Sequence, residues 1–162
     1  ALSAAIHFAY GHFHQAPSIG TIFENSNYDV LRNLQAGTVS YGVMGNPDEL
    51  LHVFVNLITN AVQAIKDHGT LTLQTAVGPD GLVSASVSDT GCGIPKEAFS
   101  KIFEPLYTTK PPGKGTGLGL YNVMSVISKM DGHICVESDV GVGTTFRIEF
   151  PQVQPTISCA PL

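Results

Sequence analysis

The sequence predicts an α+β fold: a two-layer α/β sandwich whose mixed, mostly antiparallel sheet is covered on one face by helices. Two pairs of alternating apolar and polar segments are joined by the turn sequences GPDG and VGVG, the pattern of antiparallel hairpins. A longer segment starting near Pro47 repeats apolar residues three and four apart, as half-buried helices do, and a second helix is expected from near Gly117. An apolar share of 43% against 13% charged residues in 162 positions suits one domain with one core.

In chain order, residues 2–14 predict a helix, weakened by aromatics and glycine. Residues 15–37 read less clearly: SIGTIFEN has strand character, and NYDVLRNLQAG is either a short helix ending at Gly37 or a second strand. TVSYGVM, with Val39, Tyr41 and Val43 alternating, predicts a strand. GNPDEL then opens a helix: Asn46 caps it, Pro47 suits its first position, and Asp48 and Glu49 suit its positive end. Leu50, Val53, Phe54, Leu57, Ile58, Ala61, Val62 and Ile65 form its buried stripe, with Asn56, Asn60 and Gln63 along the edge. The helix is expected to run to about Lys66 and to stop at His68-Gly69. TLTLQTAV and LVSASVS are strands, PKEAFSKIF a short helix, and EPLYTTKPPGKGT an irregular, mobile loop. GLGLYNVMSVISKM is a helix stopped by Asp131-Gly132, and HICVESD with TTFRIEF forms the second hairpin. The domain is expected over residues 16–151. Residues 1–15 then form an N-terminal segment, the end of a preceding helix, and residues 152–162 a frayed tail.

Composition excludes several classes. A net charge of −5 with 8 Lys+Arg argues against a nucleic-acid surface. No apolar run is long enough for a membrane span, and the first residues lack the basic region of a secretory signal. The opening Ala1 in place of Met suits a fragment or a processed chain. Cys92, Cys135 and Cys159 are widely spaced and form no metal pair or disulfide framework, so they read as reduced cytosolic thiols. His12 and His14 stand two apart with no further ligand near them.

The stretch KPPGKGTGLGLYN fits neither standard phosphate loop. A P-loop needs Gly-Lys-Ser/Thr, but Lys114 is followed by Gly115. A dinucleotide turn needs G-x-G-x-x-G after a strand, but these glycines stand at 113, 115, 117 and 119 with no strand before them. What remains is a helix N-terminus near Gly117, whose free N–H groups favour an anion. In NLITNA, Asn56 and Asn60 lie one helical turn apart. Their hard oxygens suit Mg2+, and they equally suit a polar rim. In DTGCGIP, Asp89 ends a strand before two glycines. The carboxylate can accept an exocyclic amine, and the glycines can let a planar ring approach, while a plain turn also explains the pattern.

Together NLITNA, DTGCGI, FEPLYTTK, GKGTGLGL and GVGTTF stand in the order of the histidine-kinase catalytic and ATP-binding domain, and the chain resembles that domain over about residues 43–150. That domain belongs to the ATPase group shared with gyrase, the Hsp90 chaperone and the MutL repair protein, with its Bergerat-type fold. NLITNAVQAI with FEPLYTTK is most similar to the nitrogen-regulator type of sensor kinase.

The resemblance implies that ATP and Mg2+ bind here. Asn60 would hold the metal, with Asn56 beside it and Lys110 reaching in from a lid as the third catalytic residue. Asp89 would accept the adenine amino group, Gly91 and Gly93 would admit the base, and Thr145 would support it through water. Thr109 of the lid joins the binding set. Gly115, Gly117 and Gly119 would form the hinge and the phosphate-facing helix start. Ile94, Phe103, Leu118 and Leu120 would line the pocket, and equally suit an ordinary core. Gln63 and Ala64 depart from sensor kinases that carry a basic and an aromatic residue there, and Lys66 lies too far along to substitute.

No histidine of this chain is followed by Glu or Asp, as a phosphoacceptor would be, and His52 reads as structural. The resemblance therefore implies a partner: the dimerisation and phosphoacceptor domain of the same kinase, in a homodimeric full-length protein acting on a response regulator. No nucleic acid and no membrane contact by this domain are expected. The location implied is cytoplasmic, or the cytoplasmic part of a membrane-anchored sensor. Alternatives are an anti-sigma-type serine kinase or ATPase of the same fold, or a nucleotide-binding regulatory module without activity.

Overall fold

A computed structural model describes residues 43–113 and 115–152. Of the strand expected over 38–44 only Val43 and Met44 are described, neither of them in a strand; the expectations for residues 1–42 and 153–162, including the first helix and the tail, lie outside the described residues. Among the latter, no helix is long and apolar enough to cross a membrane.

Helix α1 spans Pro47–Ala64 and begins as the sequence dictates. The Asn46 side chain accepts the Asp48 N–H at 2.9 Å, and Pro47 occupies the first turn. The helix ends about half a turn before the expected Lys66. Ile65 is extended (φ −82°, ψ 121°) and buried, while the Ala64 carbonyl accepts the Cys92 N–H at 3.1 Å. A loop distant in sequence thus satisfies an orphan carbonyl of the last turn and takes over the role of a local cap.

Strands β1 (Leu71–Val77) and β2 (Leu82–Asp89) form the first hairpin. Its turn closes through Gly81 N–H to the Gly78 carbonyl at 3.0 Å, with Gly81 at φ 77°. Next comes a single 3-10 turn, Lys96–Ala98, where PKEAFSKIF predicts a helix. Bonds three residues apart dominate the segment, which is too short and uncapped to propagate an α-helix. Helix α2 spans Gly119–Lys129. It starts two residues later than expected because Gly117, at φ 66°, cannot be helical. Its end matches Asp131-Gly132: Asp131 turns left-handed (φ 53°), and Gly132 N–H reaches back to the Ile127 carbonyl at 3.0 Å. Strands β3 (His133–Asp139) and β4 (Gly143–Pro151) complete the sheet.

The strand order is β1-β2-β4-β3, and all ladders are antiparallel; among the described residues there is no parallel pair of the kind a mixed sheet would contain. Val83, Ala85 and Val87 of β2, Leu71 and Leu73 of β1, and Phe146, Ile148 and Phe150 of β4 all face one side. Val53, Phe54, Leu57 and Ile58 of α1 and Val123 and Ile127 of α2 cover them to form the core. The opposite face carries Ser84, Ser86, Ser88, Thr145 and Arg147 at the alternate positions. The sandwich expected from the sequence is therefore present, with both helices on one face.

Candidate functional site

Helix α1 acts as a ruler. Asn56, Asn60 and Ala64 are successive turns on one line, spanning about 12 Å of rise. Each meets a different segment.

At the first turn, Asn56 donates its side-chain amide to the His52 carbonyl at 3.0 Å, so its amide nitrogen is held by its own helix. Its carboxamide oxygen faces the start of α2: a Cβ on Gly119 would lie 3.1 Å from it. Glycine there lets the two helices approach. No side chain caps α2, so the N–H groups of its first turn lack a capping acceptor, the usual setting for an anion at a helix start.

At the second turn, Asn60 Oδ1 accepts a hydrogen bond from Lys110 Nζ at 3.0 Å, and the same ammonium also donates to Gln63 Oε1. Lys110 comes from the loop between Leu106 and Gly117, whose ends are tied by Leu106 N–H to the Gly117 carbonyl at 2.9 Å. Thr109 is exposed on that loop, and Gly115 packs beneath it: a Cβ on Gly115 would come within 3.0 Å of Lys110 Cβ.

At the third turn, the DTGCG loop docks on the end of α1. A Cβ on Gly91 would lie 2.6 Å from the Ala64 carbonyl carbon, and one on Gly93 would collide with the Asp139 carbonyl oxygen. Protein backbone therefore already demands glycine at both positions. Asp89 is buried at the end of β2, and its Oδ1 accepts the Gly91 N–H at 2.8 Å. Burial raises its pKa above the ordinary carboxylate value, while hydrogen bonds from the Gly91 and Thr144 backbones pull the other way and offset part of that rise.

Thr145 does not join Asp89. The register pairs Asp89 with Thr144, and Thr145 points to the other face of the sheet, where its hydroxyl bonds Ser88 Oγ at 2.8 Å. Thr144 is the buried threonine beside the acid, one position earlier than the sequence suggested. Ser138 Oγ donates to the Gly143 carbonyl at 2.7 Å, accepts the Ile94 N–H at 2.8 Å, and bonds Thr144 Oγ1 at 2.9 Å. A serine has one hydroxyl proton, so Thr144 is the donor in that last bond. Neither Ser138 nor Thr144 was singled out beforehand. A side chain's face depends on strand register, and the segment GVGTTF by itself does not reveal the register.

Ile94, Phe103 and Leu120 are half-buried against the core between these groups, while Leu118 is exposed. No cluster of His, Cys, Asp or Glu suited to a metal occurs among the described residues. The cation-facing oxygen at this site is the carboxamide of Asn60, which already accepts from an ammonium. It is a hard neutral donor of the kind a hydrated Mg2+ uses. The arrangement thus sets the buried Asp89 carboxylate by the C-terminal end of α1, with the Asn60 carboxamide and the Lys110 ammonium one turn before it and Asn56 and the uncapped start of α2 one turn earlier still.

Residues 45–154 match the family described as histidine kinase-, DNA gyrase B-, and HSP90-like ATPase. Sensor kinase CckA of Brucella abortus (strain 2308) is 37% identical over 139 residues, which cover 77% of this chain and 15% of that protein. Sensor histidine kinase ZraS of Escherichia coli (strain K12) is 39% identical over 109 residues, covering 67% of this chain and 23% of that protein. The chain spans less than a quarter of either relative's length. Among solved structures, the nucleotide-free catalytic domain of histidine kinase ThkA aligns with a TM-score of 0.70 at 28% identity, covering 93% of this chain and 92% of that one.

Proposed function

This chain belongs to the family of histidine kinase-, DNA gyrase B- and HSP90-like ATPases, and on that basis we propose that it is the ATP·Mg-binding catalytic domain of a two-component sensor histidine kinase. It transfers the ATP γ-phosphate to a histidine on a separate dimerisation domain. The observation that carries the reading is that Asn60, with Lys110 on its oxygen, lies one turn of α1 before Ala64, on which the loop that follows Asp89 docks. Its relatives are named sensor kinases, which supports a kinase over a plain ATPase. The pairing of NLITNAVQAI with FEPLYTTK supports the nitrogen-regulator type.

In this mechanism Asp89 accepts the adenine amino group and selects adenine over guanine, which presents a carbonyl there. Ile94 and Leu120 shield the base from water. Asn60 would hold the Mg2+, which would supply charge neutralisation on the phosphates. Lys110 and the N–H groups at the start of α2 orient the γ-phosphate outward. The acceptor histidine arrives from the partner domain and attacks the phosphorus in line, the ADP oxygen leaving on the far side. Positioning and charge compensation supply the catalysis, and no nucleophile of this chain takes part.

Calorimetric titration of Mg-ATP, followed by addition of a phosphoacceptor dimerisation domain and detection of phosphohistidine, tests this. Mg-ATP binding weakened in Asn60→Ala by the increment that Mg2+ adds, and acid-labile phosphate on the added domain, are expected. Absence of binding, or binding unchanged in Asn60→Ala, overturns the reading.

A further inference from the structure

We propose that Gln63 is the positioning residue for Lys110, and that this pair brings the site's phosphate-binding cation from the lid, because helix α1 carries none. The inference rests on the ATP reading of the site.

Helix α1 contains no Lys or Arg over Pro47–Ala64, and the first two turns of α2 contain none either. Lys66 is exposed beyond the end of α1. A triphosphate lying along Asn56, Asn60 and the start of α2 therefore meets no fixed cation from either helix. Lys110 fills that gap from outside. Its ammonium sits on Asn60 Oδ1 at 3.0 Å and on Gln63 Oε1, bridging two residues one turn apart on α1. Its stem runs over Gly115, where a Cβ would approach Lys110 Cδ to 3.1 Å. The base of its own turn is held by Lys110 N–H to Thr108 Oγ1 at 3.1 Å.

Gln63 suits this task as a neutral acceptor. It fixes the ammonium without cancelling its charge, so the charge remains available to phosphate. A lysine is a compact point charge on a flexible stem, and it needs such a second acceptor to stay in one place. The Asn60 oxygen is also the atom proposed to hold the metal. With that oxygen given over to a bound Mg2+, Lys110 would keep Gln63 as its acceptor and its remaining donors would face the phosphates. Affinity for the phosphate chain is thereby coupled to the position of the lid, which a cation on a rigid helix would not require.

The test compares five proteins: a cycle of the wild-type chain, Lys110→Met, Gln63→Lys and their double variant, with Gln63→Leu beside it. Mg-ATP and Mg-ADP affinities are measured by calorimetry, lid exposure by limited proteolysis, and folding by melting temperature. Lys110→Met is expected to weaken Mg-ATP about tenfold or more, the value of a charge-assisted hydrogen bond. Gln63→Lys alone repels Lys110 and raises lid cleavage. The double variant recovers most of the lost affinity, since the cation now stands on the helix, while its lid stays cleavable. A double variant as weak as Lys110→Met, or a Gln63→Leu variant with unchanged lid cleavage and affinity, overturns the inference. If the wild-type chain binds no nucleotide, the ATP reading itself fails. If it binds and the cycle shows no rescue, only the pairing of Gln63 with Lys110 fails.

Discussion

Leu106 and Gly117 face each other across the neck of the lid, joined by Leu106 N–H to the Gly117 carbonyl at 2.9 Å, and both have positive φ, 68° and 66°. A non-glycine residue in that region costs about 1 kcal/mol or more, and Leu106 bears it while remaining 72% exposed. Gly117 has no freedom to change, because a Cβ there would run into the Leu106 backbone. The expected outcome is asymmetric. Gly117→Ala lowers stability by about 1–2 kcal/mol and loosens the lid, whereas Leu106→Gly stays within about 0.5 kcal/mol of wild type. Urea denaturation of both variants checks this, and equal losses would contradict a neck closed by this pair.

Asp89 separates binding from stability. Burial raises its pKa, so ionising the carboxyl in the fold costs free energy. Its contribution to the stability of the nucleotide-free protein is most favourable below the ordinary carboxylate range and is lost as pH rises through the raised folded value. Asp89→Asn at neutral pH therefore keeps the melting temperature at or above that of wild type, while adenine nucleotide affinity falls at least tenfold. In the wild type, affinity declines as pH falls through the same value; in Asp89→Asn it does not follow that decline. Calorimetry and melting curves over a pH series measure both, and a variant that loses stability as much as affinity would assign Asp89 a structural role.

Thr144 and Thr145 make a controlled comparison, since they are neighbours on opposite faces of the sheet. Thr144→Val removes the donor to Ser138 and is expected to weaken adenine nucleotides about tenfold. Thr145→Val loses the exposed-face bond to Ser88 and leaves affinity unchanged. Nucleotide titration of the two variants decides it, and the reverse ranking would return the role to Thr145.

Asn56 and Asn60 are expected to differ as well. Asn60→Ala should remove the increment that Mg2+ adds to ATP affinity, because its oxygen faces the cation position. Asn56→Ala, whose amide nitrogen is tied to the His52 carbonyl, should retain most of that increment and lower the melting temperature through the α1–α2 contact. Titrations with and without chelator distinguish the two, and an equal loss of the Mg2+ increment would make them a joint ligand set.

Much of this was legible from residues alone, because it is local. Asn46-Pro47 starts α1, GPDG and VGVG make hairpins, and Asp131-Gly132 stops α2, since each depends on neighbours within a few positions. PKEAFSKIF misled because its apolar residues Ala98 and Ile102 are buried through turns as well as they would be through a helix.

The sequence by itself determined the two long helices and the two hairpins, the buried stripe of α1, the acid at the end of β2 and the family to which these motifs belong. Tertiary structure alone decided that β4 lies between β2 and β3, which sets Asp89 opposite Thr144 and turns Thr145 away. It also decided that α1 stops at Ala64, because Cys92 reaches its carbonyl, and that Lys110 rests on Asn60 and Gln63 about fifty residues away. The physical reason is range. Dihedral preferences and hydrophobic periodicity act over a few residues and can be read in order, whereas strand register, loop docking and a lid's landing place depend on partners that only the packed core brings together.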